Sequence, residues 1–108
     1  MRMLSWGAFF AALFAFAEVR AADPAVEPIV SRIKREPVES SAVAAIGYSR
    51  KLHALEIEFV NGAIYRYEEV PLTVYRELMT AESKAHYYDE NVRGRYHSLR
   101  VRPAKKRD

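Results

Sequence analysis

The clearest periodicity in the chain lies at its centre. Leu55, Ile57 and Phe59 alternate with Glu56 and Glu58, the period of two that marks a half-buried strand with one wet face. Asn61-Gly62 follows, a strong hairpin signal. A two-residue turn would pair Val60 with Ala63 and set Tyr65 and Tyr67 on the face of the two glutamates. A three-residue loop, Val60-Asn61-Gly62 with Gly62 in the left-handed region, instead pairs Phe59 with Ala63. That register sets both tyrosines beside Leu55, Ile57 and Phe59 and leaves Ile64, Arg66 and Glu68 outside. One residue of slip reverses every side chain, and two buried rings are favoured by several kcal/mol at ~25 cal/mol per Å², so the bulged loop is expected. Upstream, Val43, Ile46 and Tyr48 form a first strand whose spacing of three between Val43 and Ile46 predicts a bulge near Ala44 and Ala45.

Beyond Val70 the period changes to that of a helix. Pro71, Val74, Tyr75 and Leu78 fall at i, i+3, i+4 and i+7, with Pro71 suited to the first helical turn. Ser83 can cap a second helix, in which Ala85, Tyr88, Val92 and Tyr96 share a face and Gly94 helps the end. Leu99 and Val101 alternate with Ser98, Arg100 and Arg102, leaving room for a short C-terminal edge strand. The expected class is α+β: a small three-stranded antiparallel β-meander followed by two helices, β-β-β-α-α.

The first 21 residues belong to a different pattern. Arg2 precedes an apolar run, Met3 to Ala17, and the chain turns polar at Glu18. That order is the layout of an export signal. At 15 residues the run is shorter than the ~18 expected of a membrane span, and Val19-Arg20-Ala21 places small side chains one and three before a cut between Ala21 and Ala22. The expectation is a soluble periplasmic or extracellular chain with no membrane span after cleavage. Residues 22–39 carry Pro24, Pro28 and Pro37 around a charged stretch too short for a core of its own, and read as a partly disordered tether. The domain is then 40–98, and 99–108 a basic tail with a loose end.

Composition adds two constraints. There is no cysteine, so neither a disulfide framework nor a lipid-modified N-terminal cysteine is available. A domain of about 60 residues buries only ~60% of its unfolded surface, which leaves its seven tyrosines to supply packing and leaves homo-oligomer formation open. The net charge of +3 hides an asymmetry: residues 41–92 hold five basic and eight acidic side chains, whereas 93–108 hold seven basic ones against Asp108.

The order of residues resembles the KTSC domain, a short family found at the C-terminus of some lysyl-tRNA synthetases and as a free-standing bacterial domain. The resemblance is carried by Ser40-Ser41, Ile46-Gly47-Tyr48, Leu55-x-Ile57-x-Phe59-x-Asn61-Gly62, Tyr65-x-Tyr67, Val70-Pro71, Ala81-x-Ser83 and Val92-Arg93-x-x-Tyr96. Ala85 stands where the family pattern commonly has glycine. The resemblance implies one compact unit over 40–98 and, by association with the synthetase, a role in RNA binding.

The residues themselves favour binding over catalysis. No serine sits in a glycine-flanked elbow, and His53, His86 and His97 are dispersed. His86 and Glu90 share a helical face but lack a further ligand, so no metal or other cofactor is expected. Tyrosines on a small sheet can stack bases and a basic tail can neutralise phosphates, yet an acidic body and export both disfavour RNA. The expected partner is a protein or an anionic envelope component, met through Tyr48, Tyr65 and Tyr67, through Arg66 beside them, and through a strip of Arg93, Arg95, Arg100 and Arg102. Glu56 and Glu58 are expected on an open acidic face, beside at least one free sheet edge.

Overall fold

The computed structural model describes residues 27–103; the expected export segment, its cleavage point at Ala21 and Ala22, and the end of the basic tail lie outside them. The chain forms β1 (Glu36–Pro37), β2 (Val43–Ser49), β3 (Ala54–Phe59), β4 (Ile64–Tyr67), α1 (Leu72–Thr80), α2 (Lys84–Asn91) and β5 (Ser98–Arg100). All five strands join one antiparallel sheet in sequence order. The expected three-stranded meander is its centre, β2 to β4, and the C-terminal edge strand is β5.

The hairpin adopts the bulged register. Phe59 N donates to Ala63 O at 2.8 Å and Gly62 N to Phe59 O at 2.9 Å, so Ile57 faces Tyr65 and Leu55 faces Tyr67. Asn61 Oδ1 accepts the Ala63 N–H at 3.0 Å, and Gly62 takes φ +96°. A Cβ there would meet nothing within 4 Å, so Gly62→Ala is expected to cost only backbone strain, about 1 kcal/mol. Urea unfolding should show a lower midpoint and an unchanged slope. The bulge in β2 falls between Val43 and Ala45, as the spacing required.

One face of the sheet carries Val43, Ile46, Leu55, Ile57 and Tyr67, which form the core with Val70, Leu78 and Val92 from the helical half. Pro71 stands one position earlier than expected, as the N-cap of α1 with an extended ψ of 150°. Ser83 does cap α2, its hydroxyl accepting the His86 N–H at 3.1 Å. This helix ends at Asn91; Val92, its C-cap, still donates its N–H to Tyr88 O and stays in the core, and Gly94 at φ +75° turns the chain back toward β5 with Tyr96 packed against that core.

The other face departs from expectation. A wet, acidic face is expected there, but Glu56 is fully buried, and Ala45, Ala54, Ile64 and Val101 are buried with it. The cover is the segment read as a tether. Ile29 bridges Val101 in parallel, its N–H donating to Arg100 O and its carbonyl accepting from Arg102 N. Residues 30–35 then cross the sheet, and Glu36–Pro37 pair with Ile46 and Ala45. In this strap Ile29, Ser31, Ile33 and Arg35 are half-buried while Val30, Arg32, Lys34 and Glu36 are exposed, the alternation of an extended chain with one face down. Three prolines and a run of charges hid a strand-like period. The strap also occupies the outer sides of β2 and β5, so the free edge expected there is taken.

Candidate binding site

Among the described residues, two surfaces have chemistry beyond packing, and both involve the strap. The first is the ion network beneath it. Glu56 Oε1 accepts from Arg35 Nη1 at 2.8 Å, and Glu56 Oε2 accepts from Arg66 Nε at 2.8 Å and from Ser31 Oγ at 2.5 Å. Ser31 Oγ in turn accepts from Arg66 Nη2 at 3.1 Å and from Ile33 N at 3.0 Å, which uses one donor and two acceptor positions of the hydroxyl. Arg35 Nε reaches on to Glu58 Oε1 at 3.3 Å. Two strap side chains and one sheet arginine thus satisfy a buried carboxylate that would otherwise carry a large desolvation cost.

The second surface is a shallow, open cleft of about 560 Å³ between the strap and the β2–β3 turn, lined by Arg32, Ile33, Lys34, Tyr48, Ser49, Lys51, Leu52 and Arg66. Its turn is held by Ser49 Oγ, which accepts from Leu52 N at 3.1 Å, and by the Val70 N–H, which donates to His53 O at 2.9 Å. Tyr48 is fixed too, its hydroxyl donating to Val70 O at 2.5 Å and its ring stacking on Tyr75 with centroids 5.2 Å apart. Arg66 is committed to Glu56, so the exposed cations of the cleft are Arg32, Lys34 and Lys51. An apolar and aromatic wall beside three cations suits an anionic group carried on a larger body, with Glu36, 3.9 Å from Lys34, offsetting part of that lysine's charge.

The residues singled out from sequence do not all meet. Tyr48 and Arg66 line the cleft. Tyr67 turns into the core, where its hydroxyl and that of Tyr88 lie 2.6 Å apart. Burial, and after it that hydrogen bond, holds its phenol well above the usual tyrosine range. Tyr65 sits at the rim of the same face, edge-on to Phe59, with the Arg100 guanidinium 5.5 Å from its ring centroid, a cation–π contact. Arg93 pairs with Asp89 at 3.0 Å and Arg95 Nε donates to Glu90 O at 2.8 Å, while Arg102 is exposed beside the Ile29 bridge. Sequence reading missed Ser31, Arg32, Lys34, Arg35 and Lys51. The alternation of Ile29, Ser31, Ile33 and Arg35 was the available signal for the strap.

His86 Nε2 lies 3.2 Å from Glu90 Oε2 and His97 Nδ1 2.9 Å from Glu68 Oε1, and among the described residues no three His, Cys, Asp or Glu side chains cluster as metal ligands would. No helix among them is long and apolar enough to cross a membrane. Tyr87 donates its hydroxyl to Glu77 Oε1 at 2.6 Å; burial first, then that carboxylate, pushes its phenol up to about 12.

Comparison with known proteins places this geometry. An uncharacterized protein of Stutzerimonas stutzeri is 38% identical over 58 residues, which cover 54% of this chain and 82% of that protein. A lysine–tRNA ligase of Nostoc is 40% identical over 58 residues, but these make up only 10% of the ligase. The crystal structure of a KTSC domain protein from Yersinia pestis superposes with a TM-score of 0.62 at 32% identity, covering 65% of this chain and 99% of that one. The pattern that defines the KTSC domain matches residues 39–96, and the chain belongs to the KTSC domain family.

Proposed function

We propose that this chain is an exported, non-catalytic binding module that takes an anionic component of the cell envelope, a polymer or an acidic protein surface, at the cleft of Arg32, Lys34 and Lys51. The observation that carries the reading is the lining of that cleft: three exposed cations against Tyr48 and Leu52, on a turn pinned from both sides. Export rests on the first 21 residues of the sequence, and the dispersed histidines support binding rather than catalysis. Arg93, Arg95, Arg100 and Arg102 do not line this cleft.

A second reading, RNA binding, is favoured by the similarity to lysine–tRNA ligase and by Tyr65 beneath Arg100, since an aromatic ring and a guanidinium both stack on bases. The two readings separate by titration with heparin and with single-stranded RNA across a salt series. Exposed ion pairs contribute on the order of 0.5 kcal/mol each, so replacing Arg32, Lys34 and Lys51 together by alanine should weaken heparin binding about tenfold. Salt dependence should flatten with it. Unchanged heparin affinity in that variant would sink the cleft as the site. RNA bound more tightly than heparin, and lost with Arg100→Ala, would favour the second reading.

A further inference from the structure

We infer that the sheet face carrying Glu56 is a docking site for an extended, arginine-bearing polypeptide, and that strap residues 29–37 are its resident occupant. The face belongs to the KTSC domain, whose pattern begins at residue 39; the strap lies outside that pattern. What the strap presents to the face is a regular recognition sequence. A hydroxyl at Ser31, an aliphatic group at Ile33 and a guanidinium at Arg35 point down at alternate positions, and each meets a receiving feature. Ser31 and Arg35 reach the two oxygens of the fully buried Glu56. Beneath Ile33 and Lys34 the sheet has Gly47, where a Cβ would stand 3.0 Å from Ile33 Cγ2 and 2.3 Å from Lys34 O. The domain therefore keeps a bare backbone position where the strap's own backbone crosses.

The attachment of the strap suits an occupant that can be replaced. Its ladder with β2 is two residues long and includes Pro37, which has no N–H to donate, with Val38 N donating to Ala44 O at 3.0 Å just beyond it, and its other end is held by the two backbone bonds of the bridge at Ile29. Short peripheral backbone pairing of this kind opens at low cost, so what holds the strap is chiefly the contact of Ser31 and Arg35 with Glu56. Extended peptides commonly bind sheets with alternate side chains directed at the receiving surface, and here the contacts at Glu56 and Gly47 select hydroxyl, aliphatic and arginine two residues apart. The ligand class is thus a polypeptide segment with serine or threonine, then an aliphatic residue, then arginine at that spacing. Displacement would carry Arg32 and Lys34 away from the basic cleft, so the peptide and an anion at the cleft exclude each other, each weakening the other by the same factor.

The test uses the mature chain with a protease recognition site inserted between Glu39 and Ser40, cut in solution, and a fluorescein-labelled peptide of residues 27–38. The released strap should be replaced by the labelled peptide, with the near-UV circular dichroism of the domain retained throughout. Loss of one charge-assisted contact should weaken the Arg35→Ala peptide at least about tenfold. A second arm leaves the chain uncut: with Arg35→Ala in its own strap it should take up the labelled wild-type peptide at least about tenfold more tightly than the unaltered chain does. Collapse of the near-UV signal when the strap leaves would make the strap a structural strand and overturn the inference. So would a fragment that does not exchange, or equal binding of the wild-type and Arg35→Ala peptides. Salt and heparin do not enter this readout, so its failure leaves the cleft reading standing.

Discussion

Replacing Glu56 with alanine is expected to lower stability by about 3 kcal/mol, since breaking a buried ion pair from one side costs ~3–5 kcal/mol. The carboxylate is fully buried and its loss leaves the Arg35 and Arg66 guanidiniums facing each other, with Ser31 Oγ deprived of its acceptor. The effect stays at the low end because those arginine side chains remain 17% and 16% exposed and Arg35 keeps Glu58 at 3.3 Å. Arg35→Ala should cost less, because Glu56 then retains Arg66 and gains access to water as the strap loosens. Urea denaturation of both single variants and of the double variant checks this. The double should be more stable than the sum of the singles implies, since each single change removes the same contact. Additive losses would mean that Glu56 and Arg35 act on the fold separately, and that the strap is not held by this pair.

The same residue shows how far sequence alone could reach. Alternation of Leu55, Ile57 and Phe59 with glutamates gave the strand, its register and the face that meets the helices, because burial of one face is a local, periodic requirement. It could not say what stood above the other face. Glu56 in an alternating strand reads as solvated unless its partners are known, and two of its three partners lie 25 and 21 residues upstream in a stretch whose prolines argue for an open tether. Tyr65 and Tyr67 were legible as a pair, but their fates divide: one ring is enclosed against Tyr88, the other is left at the rim beneath Arg100. The cleft was half legible, through Tyr48 and Arg66. Its cations Arg32 and Lys34 come from the exposed side of the strap, and Lys51 from a turn; no period marks such positions. The glycine in Ile46-Gly47-Tyr48 could be noted as part of a family pattern, and only the crossing strap supplies a physical reason for it.

That reason leads to the second large effect. Gly47→Val places a strand-favouring residue in the middle of β2 and would on propensity alone be benign. A Cβ at this position stands 2.3 Å from Lys34 O and 3.0 Å from Lys34 C, and because the opposing atoms are backbone rather than the end of a flexible side chain, no rotamer relieves the contact. Overpacking of a filled site commonly costs ~1–3 kcal/mol, and the upper part of that range is expected here. The strain should be released where attachment is weakest, by the strap lifting from the sheet, while the core of Ile46, Leu55, Ile57, Leu78 and Val92 on the far side stays packed. Trypsin reads this directly, since Arg32, Lys34 and Arg35 lie in the strap and cleavage follows the open population when reclosing is fast. A loss of about 3 kcal/mol raises that population roughly a hundredfold, so strap cleavage should accelerate by about that factor while near-UV circular dichroism is kept. If the strap of the Gly47→Val chain is cut no faster than that of the unaltered one, its backbone does not cross at Gly47, and the glycine answers to something else.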